Sequence, residues 1–73
     1  MQIRLRSNVI HAVCQSVGGI SRDELARRLH VSSTTTYRIE RGDVSPSPRF
    51  IAALMQLTGR RFEELFEIVA EVA

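Results

Sequence analysis

Apolar residues recur along the chain in short runs with helical spacing, and each run is bracketed by residues that start or stop a helix. Ile10, Val13, Cys14 and Val17 follow the i, i+3, i+4, i+7 pattern of one helical face. Ser7-Asn8 stand before them as a cap, and Gly18-Gly19 stop them. Ser21 opens a second helix, with Glu24 three residues on as a capping box. Leu25, Ala26 and Leu29 share its inner face. His30-Val31-Ser32 reads as a turn ending in another cap. A third helix spans about Ser33 to Arg41 and ends at Gly42, followed by a loop over Asp43 to Ser45. Ser47 caps a fourth helix whose first position is Pro48, where a missing N–H costs nothing. Phe50, Ile51, Leu54, Met55 and Leu57 line that helix, and Gly59 closes it. Phe62, Leu65, Phe66 and Val69 repeat the helical spacing, so a fifth helix is expected from Phe62 toward Ala73.

The first residues behave differently. Ile3 and Leu5 alternate with Gln2, Arg4 and Arg6, a period of two over five residues. An edge strand, an extended basic arm and an early turn of the first helix all fit, and the extended reading is preferred for residues 1–7. Five short helices with short connections predict an all-α, compact five-helix bundle with an extended N-terminal arm. The whole of residues 1–73 reads as one domain.

Composition agrees with a small globular unit. The chain has 73 residues, 44% hydrophobic and 25% charged. A chain of this size buries only about 60% of the surface its unfolded form exposes. That leaves room for one core and little for an enzymatic cleft. No apolar run approaches the roughly 18 residues of a membrane helix, and no secretory signal opens the chain. The single cysteine, Cys14, forms no intrachain disulfide, which suits a reducing cytoplasm. It lies on the apolar face of the first helix and reads as a buried, inert thiol. His11 stands three residues before it, but no orienting acid completes a catalytic dyad, and His11, His30 and Cys14 lack metal-ligand spacing. No enzyme activity, metal or cofactor is expected.

The net charge of +2 hides an asymmetry. Residues 1–61 hold all ten basic residues against Asp23, Glu24, Glu40 and Asp43, a net of +6. Residues 62–73 hold Glu63, Glu64, Glu67 and Glu71 and no cation. Every cation is an arginine, whose planar fork suits phosphates and guanine edges. A G+C-rich genome also favours arginine over lysine, but it does not produce the asymmetry.

The stretch from Arg22 to Arg41 carries the strongest signal. Leu25 and Leu29 supply an apolar face. Ala26 is small where a larger side chain would push the next helix away. Val31 plugs the turn, and Ile39 anchors the following helix. This is the pattern of a helix-turn-helix over residues 21–42, whose second helix can lie in a DNA major groove. Ser21-Arg22-Asp23-Glu24-Leu25-Ala26-Arg27-Arg28-Leu29-His30-Val31-Ser32 resembles the T-Q-E-E-L-A-x-x-L-G-V-S stretch of the lambda-repressor-like (Cro/Xre) helix-turn-helix family. Arg38-Ile39-Glu40-Arg41-Gly42 is similar to its x-I-E-x-G, Pro46-Ser47 to its P-S, and Gly59 with Phe62-Glu63-Glu64-Leu65-Phe66 to its closing pattern. The resemblance covers roughly residues 9–68. It departs at His30 (usually Gly), Thr36 (usually Ile or Val), Arg22 (usually Gln), Arg60 (usually apolar) and Gln15 (in many relatives an Arg paired with the glutamate matching Glu40).

The resemblance implies a cytoplasmic, nucleoid-associated transcriptional regulator, with repression expected, that binds a double-stranded operator as a homodimer. By position, Ser33, Thr34, Tyr37 and Arg38 face base edges, and Arg38 is the first choice for guanine. Arg38 paired with Thr34 or a phosphate, and Tyr37 packed on the protein surface, are the plainer alternatives. The run of five Ser/Thr residues from Ser32 also suits a capped loop. Phosphate contacts are expected from Ser21, Arg22, Thr35, Arg41, Ser47 and Arg49. Leu25, Ala26, Leu29, Val31, Ile39 and Glu40 hold the motif together, Glu40 by tying the third helix to the first or second through Gln15 or a nearby Arg. The acidic helix expected over residues 62–73 offers Ile68 and Val72 for a two-fold interface, or only closes the monomer. A protein-interaction module, such as an antitoxin or a phage protein using that helix or the basic arm, is the alternative function.

Overall fold

The alternating residues at the start of the chain find their partner at the far end. In the structure, a computed structural model that describes residues 2–70, Gln2–Leu5 form strand β1 and Phe66–Val69 form strand β2. The two pair antiparallel, with Ile3 opposite Ile68 and Leu5 opposite Phe66. Between them run α1 (Val9–Ser16), α2 (Arg22–Arg28), α3 (Ser33–Arg41), α4 (Pro48–Thr58) and α5 (Phe62–Leu65). The fold is thus mostly helical rather than all-α, and the expected N-terminal arm is a paired strand.

The fifth helix is corrected most. It lasts one turn, and at Phe66 the backbone becomes extended, with φ −127° and ψ 162°. The i, i+3, i+4, i+7 pattern that suggested a helix belongs instead to a turn and a strand. Phe66 and Ile68 sit on the sheet face that Leu5 and Ile3 share, and Glu67 on the other. A lone strand leaves its ladder of N–H and C=O groups unpaired. Pairing with β1 satisfies the groups on the facing edges of both strands, and that tertiary gain outweighs the local helical pattern. Arg6 fastens the junction: its N–H donates to the Leu65 carbonyl at 2.9 Å and its Nε to the Glu63 carbonyl at 2.8 Å. Glu71 and Val72 lie outside the described residues.

The helix boundaries otherwise follow the caps. The Oγ atoms of Ser21, Ser32 and Ser47 accept from the N–H groups of Glu24, Thr35 and Phe50, each at the first turn of its helix. Two expected details differ. Asn8 occupies the cap position of α1 in a left-handed conformation, φ 64°, and its side chain makes no cap bond. The capping box at Ser21 is only half made, because the Glu24 carboxylate turns to Arg27 and Arg28.

Leu5, Ile10, Val13, Cys14, Leu25, Leu29, Ile39, Phe50, Leu54, Leu65 and Phe66 form one core. Phe66 is fully buried, edge-on to Phe50 at 6.5 Å and stacked on Phe62 at 5.3 Å between ring centres. Every helix from α1 to α5 and both strands contribute to this cluster, so β1 and β2 share one core with the α2–α3 unit.

Candidate nucleic-acid interface

Ala26 makes the α2–α3 turn possible. It is buried, its carbonyl accepts the Val31 N–H at 3.0 Å, and α3 packs close to it. His30 takes the left-handed conformation the turn needs, φ 60°, in keeping with the tolerance of polar, unbranched residues there. Leu25, Leu29 and Ile39 are buried and Val31 is partly buried, so the expected inner face of the motif is the observed one.

The helix α3 is built from poor helix formers, and its caps compensate. Ser32 Oγ accepts from the Thr35 N–H at 3.0 Å and donates to Thr35 Oγ1 at 2.8 Å. Thr36 is buried with its hydroxyl donated to the Ser32 carbonyl at 3.2 Å. A hydroxyl paired one turn back lets Thr36 sit where an aliphatic residue would otherwise pack. The run of five hydroxyl residues is therefore a cap and a helix rather than a loop. Gly42 closes the helix with φ 83°.

Two polar ties from successive residues hold α2 to α3. Asp23 Oδ1 accepts from Ser33 Oγ at 2.8 Å, and Arg22 Nη2 pairs with Glu40 Oε1 at 2.7 Å. Glu40 thus meets a nearby arginine, and Gln15 is exposed and is not its partner. Glu40 Oε2 is buried without a hydrogen-bond partner, which makes the Arg22 contact the main compensation for that charge. Both groups lie near Cys14. Burial pushes its thiol above the ordinary value, with Arg22 opposing the shift and Glu40 adding to it.

The outer face of α3 presents Ser33, Thr34, Tyr37, Arg38 and Arg41 to solvent. Tyr37 is 52% exposed and carries the Arg41 guanidinium 5.4 Å above its ring. Arg41 also pairs with Asp43 at 3.6 Å. Thr34 and Arg38 have no side-chain partner among the described residues, so the alternative pairing of the two with each other is not seen. The expected phosphate residues fall into two groups. Arg49, at the start of α4, is exposed and without an acidic partner among the described residues. Arg22 and Arg41 are already engaged, Ser21 and Ser47 spend an oxygen on capping, and Thr35 Oγ1 accepts from Ser32 Oγ. Arg27 and Arg28 are both drawn to Glu24.

Sequence reasoning missed the Asp23–Ser33 tie. An acid in the first turn of one helix and a serine in the first turn of the next was the only available signal. An open groove of about 210 Å³ lies between α1 and the residues Arg60, Glu64 and Leu65. Its lining includes nothing from α2 or α3. Among the described residues no cluster of His, Cys, Asp or Glu is arranged to hold a metal ion, and no helix is long and apolar enough to cross a membrane.

A family model described as a helix-turn-helix domain matches residues 2–66. No curated protein and no solved structure matches the chain.

Proposed function

Since the chain belongs to the helix-turn-helix domain family, we propose that it is a sequence-specific DNA-binding regulator that reads the major groove with α3. The observation that carries this reading is Arg38. It is exposed on the same face as Thr34, Tyr37 and Arg41, and no protein acceptor among the described residues takes its five donors. A bidentate bond to guanine O6 and N7 is worth about 1–3 kcal/mol of discrimination. Thr34 and Tyr37 flank it for thymine methyl and backbone contacts.

Phosphate contacts fix the register. Arg49 supplies one beside the Ser47 cap, and Arg41 a second once Asp43 releases it. Arg22 serves first as the strut that holds Glu40, and Ser21, Thr35 and Ser47 act mainly through the helix N-termini they organise. The exposed backbone N–H groups there favour an anion.

The lambda-repressor-like resemblance supports a homodimer on a pseudo-palindromic operator, with half-sites about 34 Å apart. The interface proposed for it lies not on an acidic helix but along β2, where Ile68 is 59% exposed. Repression follows as the simplest consequence of operator occupancy, with the nucleoid as the place of action. The competing protein-interaction reading called on an acidic last helix or the basic arm; α5 is one turn long, Phe66–Val69 form β2, and Gln2–Leu5 of the arm pair with it.

Random-site selection followed by a salt titration of binding tests the proposal. An enriched motif and a log K that falls steeply with log salt are expected. Failure to enrich any motif, with no salt dependence, would return the chain to the protein-interaction class.

A further inference from the structure

Strand β1 carries Arg4, and Arg6 follows directly after the strand; only Arg6 is spent. Arg4 stands on the side of the sheet opposite Leu5, with Glu67 directly across from it. Glu67 nevertheless pairs with Arg6, at 3.5 Å, and Arg6 also bonds the Glu63 carbonyl. Arg4 reaches the other way. Its guanidinium lies against Gly42, the residue that ends α3, so closely that a Cβ there would run into its Nη2, Nε and Cζ atoms. Glycine at 42 therefore has two reasons: its left-handed backbone, φ 83°, and the room it leaves for Arg4.

The side chain is positioned but unused. Among the described residues Arg4 has no carboxylate within ion-pair distance and no hydrogen-bond acceptor. The negative end of the α3 dipole favours a cation at this point and holds it there. The last turn of the same helix carries Arg38 and Arg41. Holding five unspent donors at the exit of a groove-reading helix is the arrangement a phosphodiester contact requires.

We propose that Arg4 is a DNA phosphate contact, delivered to the C-terminal end of α3 by the β1–β2 pairing. The inference rests on the DNA-binding reading above and extends its phosphate-binding track onto the terminal sheet. The sheet then serves binding as well as stability: β2 fixes β1, β1 fixes Arg4, and Arg4 meets the backbone beside the bases that α3 reads.

The experiment is a salt titration of the full chain on a duplex carrying its selected site, with Arg4→Ala, Arg4→Gln and Arg4→Lys. One phosphate contact contributes about 0.9 to the slope of log K against log salt. The affinity lost by Arg4→Ala should therefore be about 3.5-fold greater at 50 mM than at 200 mM salt. Arg4→Gln should lose the same increment of slope, and Arg4→Lys should retain it. Slope does not depend on the fraction of folded protein when circular dichroism shows that fraction to be constant across the salt range. An Arg4→Ala or Arg4→Gln slope equal to that of the unchanged chain would overturn the Arg4 contact alone. An unchanged chain with no salt-dependent binding would overturn the DNA-binding reading and the Arg4 contact with it.

Discussion

Arg22 and Glu40 meet at 2.7 Å, joining the first residue of α2 to the penultimate residue of α3. The arginine is 59% exposed, while the carboxylate keeps one oxygen buried and unpartnered. Removing Arg22 strands that charge. Arg22→Ala should lower stability by about 1–2 kcal/mol, a hydrogen-bonded charge discounted for solvent screening. In urea denaturation, Arg22→Ala combined with Glu40→Ala should cost less than the two singles together, by about 0.5–1 kcal/mol. Strict additivity would show the pair to be idle. The same strut role predicts that Arg22→Ala weakens DNA binding with an unchanged salt slope. A slope smaller by about 0.9 would make it a phosphate contact instead.

The cap of α3 should matter more than its size suggests. Ser33 to Thr36 have weak helix propensity, so the first turn leans on Ser32. Ser32→Ala is expected to cost about 1 kcal/mol. Binding to the selected DNA site should fall further than to an arbitrary duplex, because fraying displaces Thr34 and its neighbours. Equal losses on both duplexes would separate the cap from readout.

The sheet is a structural member and can be tested as one. Phe66 is fully buried against Phe50 and Phe62. Phe66→Ala should destabilise the fold by about 3–5 kcal/mol, measured as a shift in the denaturation midpoint. A loss below about 1 kcal/mol would mean that the chain end is not part of the cooperative core.

Cys14 links pH to stability. Its folded-state thiol titrates above the ordinary value, chiefly because it is buried. Below the unfolded value, about 8.5, the thiol is protonated in both states and its contribution is complete. As pH rises through the folded value, the unfolded chain has already released its proton and stability falls. Cys14→Ser should flatten this alkaline decline, and a decline of the same steepness would assign it to other groups.

The helices were legible wherever a chemical stop or start sits in the chain. Ser21, Ser32, Ser47, Gly42 and Gly59 each fix a boundary through a local hydrogen bond or a left-handed backbone, and the boundaries of α2, α3 and α4 fall at those residues. The end of the chain was not legible, because Phe62, Leu65, Phe66 and Val69 satisfy a helical period by coincidence. Only the distant partner Gln2–Leu5 decides between helix and strand there. Ile68 and Val69, branched at Cβ, were the local hint. In the interface, exposure of Arg38 and Tyr37 followed from α3 periodicity. The engagement of Arg22 with Glu40 did not, because the reach of a long side chain across a helix crossing has no sequence period.

In the proposed complex Arg38 reads a guanine from the major groove. Methylation of guanine N7 blocks that edge and leaves the minor groove untouched. Interference mapping on the selected duplex should show at least one guanine whose N7 methylation abolishes binding, and Arg38→Ala should be indifferent to methylation at that guanine. Binding that tolerates N7 methylation throughout the site, or an Arg38→Ala variant with the same interference pattern as the unchanged chain, would contradict the account.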